Sequence, residues 1–347
     1  METLWFYLVA GMIAMYVILD GFDLGAGILH LFVARNDDER RTVLQSIGPV
    51  WDGNEVWLLA GGGALVLAFP KLYASGFSGF YLPLMIVLWL LIFRAIAIEF
   101  RSHLESPIWR PVWDVAFAGS SLLLAVFLGA ALGNVVRGVP LGEDGFFFTP
   151  LWTSFRIRGG ELGILDWYTV TVGVTSLLAL TYHGAMWVIL KTEDPIRQRA
   201  KRAAGLAWPL LLVFIILVTV LTFIIQPHVP ERFTARPLSY VLPLVALAGL
   251  VGSRLLMGRG RELGAFLASA LFLGGMLVSV VFGLYPMVLP AAGDPSLSLT
   301  VDNAAGPPYA LRVALMWWIP GMILVGVYTT YVYRQLAGKV TLDPDAY

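Results

Sequence analysis

The sequence contains no cysteine in its 347 residues and only four histidines. The absence of cysteine excludes disulfides, thiolate metal sites, iron–sulfur clusters and cysteine nucleophiles. Charged residues are also scarce, at 13% of the chain, whereas a soluble domain carries roughly a quarter. The net charge is zero, which gives no support for nucleic-acid binding. The sequence also lacks a P-loop, a dinucleotide fingerprint, a zinc motif and a GxSxG elbow.

Long apolar runs take up most of the chain, which is 58% hydrophobic with a mean hydropathy of +0.78. A helix that crosses a bilayer needs about 20 apolar residues. Nine runs meet this requirement, so the sequence predicts an all-α integral membrane protein with nine transmembrane helices. The first run has no basic segment before it, and we interpret it as a retained span. The predicted spans are residues 3–33, 50–70, 75–98, 112–136, 164–190, 204–226, 238–256, 263–289 and 311–333.

The distribution of lysine and arginine predicts the orientation, because cytoplasmic loops carry an excess of both residues. If the N-terminus is outside, the predicted inner loops and tail hold fifteen of the 23 lysines and arginines. The predicted outer loops then hold six, including Arg158. We therefore expect the N-terminus outside and the C-terminus in the cytoplasm.

Acidic residues lie in or beside the first three predicted spans, where an ionised side chain is costly unless it is paired, hydrated or neutralised. Asp20 and Asp23 are three residues apart in the first span and therefore share a helix face. Asp52 and Glu55 have the same spacing at the inner start of the second span. Arg94 lies near the inner end of the third span and is the expected counter-charge for Asp52 or Glu55.

Together with Glu99, these residues are predicted to run from the cytoplasmic edge to the middle of the membrane. Carboxylates linked by water can take up and release protons, so the pattern suits proton conduction. Structural roles are the alternative. Asp20 and Asp23 could bond to backbone and pack helices, and Asp52 could cap the second span at the positive end of its dipole.

Two further residue types have more than one interpretation. His30 and His183 lie inside predicted spans, and two such histidines could hold a haem between helices. A lone histidine on an apolar helix is more often a hydrogen-bonded core residue. Trp51 could contact a quinone ring, although interfacial tryptophan belts explain it equally well.

Several motifs together resemble subunit II of the cytochrome bd quinol oxidases. They include DGFDLG at 20–25, PVWDGNEVW at 49–57, FSGFY at 77–81 and GNVVRGVP at 133–140. The resemblance implies a complex in a bacterial or archaeal cytoplasmic membrane that oxidises quinol and reduces O2 to water. Haem b and haem d-type centres are expected in a partner, subunit I, and this chain is expected to be haem-free. Some members of the family also have small single-span subunits or a structural quinone.

The resemblance also implies a domain organisation and site residues. One membrane domain is expected over residues 1–347, comprising a four-helix bundle (1–136), an outer loop (137–163), a second four-helix bundle (164–290) and a peripheral ninth helix (305–340). This chain is expected to stabilise subunit I and to contribute a proton-uptake path from the cytoplasm. By motif, the expected proton-path residues are Asp52, Asp23 and Arg94, followed by Asp20, Glu55 and Glu99; Trp51 is the expected quinone contact.

Two other functions remain open from the residues alone. A proton-coupled membrane transporter would favour paired broken helices at mid-membrane. The run Gly61-Gly62-Gly63 in the second predicted span is the only such hint, and the second half has no counterpart. The other alternative is a purely structural scaffold.

Overall fold

The structure, a computed structural model, describes residues 1–153, 155–157 and 161–342. Arg158, which enters the charge count above, lies outside these residues. The described part is mainly helical, with 3-10 turns at Pro237–Tyr240 and Pro295–Leu297. The strands β1 (Met287–Leu289) and β2 (Leu299–Thr300) pair antiparallel. The α-helices are α1 (Glu2–Val33), α2 (Asp37–Ile47), α3 (Trp51–Ala68), α4 (Pro70–Gly79), α5 (Tyr81–Phe100), α6 (Trp109–Arg137), α7 (Trp167–Lys191), α8 (Ile196–Ile225), α9 (His228–Ala235), α10 (Val241–Gly258), α11 (Glu262–Leu284) and α12 (Pro308–Gln335).

Helix α1 is the element around which the others pack. Every residue from 20 to 30 is buried, and the helix contacts α3, α6, α7 and α11. Its glycines allow this close approach, as small residues do between membrane helices. A Cβ on Gly25 would lie only 2.7 Å from the Cα of Gly184 on α7. The close packing places the acidic residues of α1 inside the protein.

Eight helices in the described residues are long and apolar enough to cross a membrane, which confirms a multi-span helical protein. They are α1, α5, α6, α7, α8, α11, α12 and α10 with the 3-10 turn before it. The predicted span 50–70 corresponds to α3, which is helical but only 18 residues long. Its first turns contain Asp52, Asn54 and Glu55, which make it less apolar than the other eight.

Two predicted span boundaries are wrong, and proline explains both. The predicted span 75–98 is divided, because α4 ends at Gly79 and α5 begins at Tyr81. Pro83 lies in the first turn of α5, where its missing N–H costs nothing. The predicted span 263–289 ends early, at Leu284, because Tyr285 precedes Pro286 and is extended. The chain then enters strand β1.

The sixth predicted span, 204–226, is part of a longer helix, since α8 begins at Ile196. Its first two turns carry basic residues and lie outside the apolar run. Arg199 in this part donates two hydrogen bonds to Glu39 on α2, at 2.6 and 3.1 Å. These bonds lower the pKa of Glu39. The ion pair therefore holds α2 against the end of α8.

Helix α12 lies at the periphery, and Leu311 is the one buried residue among those described on it. Polar contacts hold it at both ends. Trp5 donates from Nε1 to the carbonyl oxygen of Leu311 at 3.0 Å. Beyond the other end, Lys339 donates to Glu262 at 2.6 Å.

We predict that Gly25→Ala destabilises the protein by about 1–3 kcal/mol or more, because the added methyl group overpacks the contact between α1 and α7. Thermal unfolding in detergent measures this as a lower midpoint. Gly11→Ala is the matched control on the same helix, since nothing lies within 4 Å of its Cβ position. Equal midpoints for the two variants would contradict the close packing.

Candidate functional site

A buried ion pair joins α1 to α5. Arg94 donates from Nη1 to Oδ2 of Asp20 at 2.8 Å, and its Nη2 bonds to Oδ1 of the same carboxylate. Both side chains are fully buried. This bidentate geometry is the strong form of an arginine–carboxylate contact, and a charge buried here requires such a partner. Of the two predicted counter-charges of Arg94, Glu55 lies within ion-pair distance, at 3.9 Å, whereas both hydrogen bonds of the guanidinium go to Asp20 and none goes to Asp52 in the described residues.

Asp23 lies one turn further along α1 and has different partners. Asn54 on α3 donates from Nδ2 to Asp23 Oδ2 at 2.7 Å, and Tyr333 on α12 donates to Asn54 Oδ1 at 2.9 Å. The other carboxylate oxygen of Asp23 is buried without a hydrogen-bond partner. Three helices therefore meet at one hydrogen-bond chain. Neither Asn54 nor Tyr333 was among the predicted site residues.

Glu55 connects the ion pair with the surface. Its Oε2 lies 3.9 Å from Nη2 of Arg94, and its side chain is 22% exposed. Asp52 lies in the first turn of α3 and is exposed, as is Glu99 in the last turn of α5. In the described part of the chain, neither forms an ion pair or hydrogen bond with the other four predicted residues. The structure thus brings together Asp20, Asp23, Glu55 and Arg94.

The electrostatics of this group favour proton uptake. One fixed positive charge, on Arg94, faces three carboxyl groups, and Asp20 accepts both of the hydrogen bonds that its guanidinium donates to them. A second or third buried negative charge is costly in an apolar medium and is relieved when a proton binds. The arrangement can therefore hold and exchange protons near Asp23 and Glu55.

A second cluster, which the predicted site residues did not include, lies around Asp114 on α6. Arg101 and Arg40 donate to its carboxylate at 2.6 and 2.9 Å, and His30 Nε2 lies 2.6 Å from Oδ1. Asp37 extends the cluster, because it accepts from Arg101 and Arg110 at 2.8 and 2.9 Å. The sequence signal was Asp114 itself, an acid inside a predicted span. The cluster joins α1, α2, α5 and α6 at one end of the bundle.

The histidine and tryptophan candidates occupy places in the core. His183 Nδ1 lies 2.7 Å from Ser269 Oγ, and Nε2 lies 2.9 Å from the carbonyl oxygen of Ile18. Since both ring nitrogens are engaged and His30 belongs to the Asp114 cluster, these residues do not form an axial pair for haem. Trp51 is 8% exposed and packs in the core.

A third polar contact lies near the opposite end of α6, within the motif GNVVRGVP. Arg137 forms an ion pair with Asp166, the N-cap of α7, and donates to Asn134 Oδ1 at 2.7 Å. Asp166 and Thr169 form a capping box that begins α7. Arg137 therefore joins the end of α6 to the start of α7, which is a structural role.

Comparison with known proteins gives a consistent result. The sequence model of the family described as Cytochrome bd terminal oxidase subunit II matches residues 1–336. Cytochrome bd ubiquinol oxidase subunit 2 of Bacillus subtilis (strain 168) is 31% identical over 344 residues, covering 96% of each chain. Cytochrome bd-I ubiquinol oxidase subunit 2 of Escherichia coli (strain K12) is 28% identical over 371 residues, covering 99% of this chain and 96% of that protein.

A solved structure described as the structure of bd oxidase from Geobacillus thermodenitrificans has a similar fold. One of its chains superposes with a TM-score of 0.75, at 18% sequence identity. The match covers 96% of this chain and 98% of that chain. At this identity the comparison shows the fold alone.

We predict that Arg94→Gln destabilises the protein by about 3–5 kcal/mol, because it leaves the Asp20 carboxylate buried without a counter-charge. The double variant Asp20→Asn with Arg94→Gln removes both charges and should recover much of this loss. Thermal unfolding of the three proteins under one detergent condition measures the difference. A double variant as unstable as Arg94→Gln would show that Arg94 stabilises the protein by something other than its ion pair with Asp20.

Proposed function

Because the chain belongs to the cytochrome bd terminal oxidase subunit II family, we propose that it serves a quinol-oxidising complex as its haem-free subunit. In this complex quinol is oxidised and O2 is reduced to water in a partner, subunit I, which holds haem b and haem d-type centres. The chain stabilises that partner and supplies protons from the cytoplasm. The residues His30 and His183 do not offer a haem ligand pair, which agrees with haem in the partner.

The observation that supports the proton role best is the buried group formed by Asp20, Asp23, Glu55 and Arg94. Protons enter at exposed Asp52, pass half-buried Glu55 and reach the two acids of α1. Asp52 and Glu55 share a helix face, as their spacing requires. Arg94 keeps one negative charge compensated, so that each additional proton neutralises an acid that has no such partner. We keep Glu99, exposed at the end of α5, as a peripheral proton-collecting residue.

The topology we propose has nine membrane helices, with α3 as the ninth beside the eight longer ones. Polar residues at its start lie at the cytoplasmic end, where the proton path begins. The N-terminus is then outside and the C-terminus inside, in agreement with the excess of lysine and arginine in the inner loops. Residues 1–136 and 164–290 form the two four-helix bundles, 137–163 the outer loop and 305–340 the peripheral helix.

The setting follows from the family. The relatives reported above are bacterial and their complexes respiratory, so we place the chain in a bacterial inner membrane; an archaeal source finds no support among them. Membrane lipid surrounds the complex, and small single-span subunits are a further expected partner. A structural quinone at Trp51 stays a prediction. It is the weakest of the site assignments, because Trp51 is buried in the core.

We predict that Asp23→Asn and Asp52→Asn slow oxygen consumption several-fold while the haem spectrum of the assembled complex stays normal. Each substitution removes a proton-binding group and leaves the side-chain shape unchanged. Oxygen uptake with quinol, normalised to haem, measures the effect. Asp38→Asn is the matched control, an exposed acid on α2. Full turnover in both variants would favour the scaffold alternative.

We further predict that the chain purified alone shows no Soret absorbance and regains quinol oxidase activity only with subunit I. A stoichiometric haem on the isolated chain would contradict the assignment of the haems to the partner. Reconstitution of the lone chain in liposomes tests the transporter alternative. Proton-coupled solute uptake there would support a transporter against the oxidase role.

A further inference from the structure

Tyr333 is the only one of the described α12 residues whose side chain hydrogen-bonds to Asn54, the amide that donates to Asp23. It reaches Asp23 through Asn54, and its ring also contacts Trp187, at 6.2 Å between centroids. Helix α12 is otherwise largely exposed. A peripheral helix that sends one hydroxyl group to a buried amide suggests a role for that contact beyond packing.

The orientation of the Asn54 amide decides whether its NH2 group or its oxygen faces the Asp23 carboxylate. The hydroxyl group of Tyr333 donates to Oδ1, so this oxygen points towards α12 and Nδ2 points towards α1. Nδ2 then donates to Asp23 Oδ2 at 2.7 Å and lies 3.4 Å from the carbonyl oxygen of Leu19. Both acceptors on the α1 side require the NH2 group there. A reversed amide would instead turn an oxygen towards the carboxylate.

Two clefts lie beside this contact. A cleft of about 20 Å³, which is room for about one water molecule, is lined by Asn54, Tyr333 and Pro49. Pro49 also lines a larger cleft of about 280 Å³, together with Gln45 and Lys191. The two clefts therefore adjoin on the α12 side of α3.

We propose that Tyr333 is a positioning residue: it holds the Asn54 amide so that an N–H, and not an oxygen, faces Asp23, and it thereby sets the pH at which Asp23 releases its proton. The proposal rests on the proposed function only in giving Asp23 a place on the proton route. A hydrogen-bond donor favours the ionised carboxylate, whereas an amide oxygen favours the protonated acid.

Other charged and titratable groups around Asp23 remain in place when Tyr333 changes. They are Asp20 on the same helix, Glu55 on α3 and Arg94 on α5. On the α7 side, His183 is bonded to Ser269 and to the carbonyl oxygen of Ile18. None of them contacts the Tyr333 hydroxyl group, so its removal acts on Asp23 through Asn54.

The experiment uses infrared difference spectroscopy of the assembled oxidase as a function of pH. The carboxyl band absent from Asp23→Asn identifies Asp23. In Tyr333→Phe the ring is kept, but Oδ1 of Asn54 loses its hydrogen-bond donor, so the amide is held less firmly with its N–H towards Asp23. The midpoint of the band should therefore rise by about one pH unit, which corresponds to about 1.4 kcal/mol. Tyr331→Phe is the matched control, since Tyr331 is 63% exposed on the same helix.

Asn54→Ala tests the same contact from its other partner. It removes the donor and should also raise the midpoint, and adding Tyr333→Phe to it should give no further shift. Three results would overturn the proposal. The midpoint could be unchanged in Tyr333→Phe, or the band could stay wholly protonated or wholly ionised in both the wild type and Tyr333→Phe. The third is a double variant in which the shifts of the two substitutions add. Should Tyr333→Phe fail to assemble, an unchanged midpoint in Asn54→Ala would still overturn the proposal, because the Asn54 amide would then not act on Asp23.

Turnover separates this proposal from the proposed function. If the band shifts and the pH profile of oxygen consumption shifts with it, Tyr333 acts on a carboxylate of the proton route. If the band shifts in Tyr333→Phe but Asp23→Asn keeps full turnover, Tyr333 still positions Asn54. That result would contradict only the assignment of Asp23 to the proton route.

Discussion

The ion pair between Arg94 and Asp20 is the interaction on which the first half of the protein depends. Two charges without solvent contact can remain in an apolar bundle only if each has the other within bonding distance. That requirement fixes the height of α5 against α1 and leaves the guanidinium within 3.9 Å of Glu55. It also leaves Asp23 to depend on an amide donor. The different surroundings of the two acids of α1 therefore follow from one pair.

Close helix packing makes this arrangement possible. Glycines at positions 25 and 184 bring α1 and α7 into backbone contact, which buries the whole stretch from residue 20 to 30. The acidic group contacts α1 at Asp20 and Asp23, while the Asp114 cluster contacts its C-terminal end at His30. The two clusters differ in composition. Asp114 bonds to two arginines and a histidine. Asp23 accepts a hydrogen bond from the neutral amide of Asn54, and it is the acid that we propose to exchange a proton.

Much of the fold could be predicted from hydropathy alone, since long apolar runs leave few alternatives to membrane helices. The two boundary errors arose where hydropathy does not determine the backbone, at Phe80 and before Pro286. The charged turns that begin α8 extend that helix beyond its apolar run. Four of the six predicted proton-path residues do lie together. Asn54, Tyr333 and Asp114 were missed as site residues because the first two are neutral and because the partners of all three come from distant parts of the chain.

The sequence by itself determined the class of protein, the approximate spans and the family, because apolar length and short motifs are local properties. It also determined that acids lie within membrane spans. Only the tertiary structure decided which acid receives the arginine, which receives the amide and which faces outward. That choice depends on how α1, α3, α5 and α12 are rotated and shifted against one another. Such rotations are set by packing across the whole bundle, which no short stretch of sequence encodes.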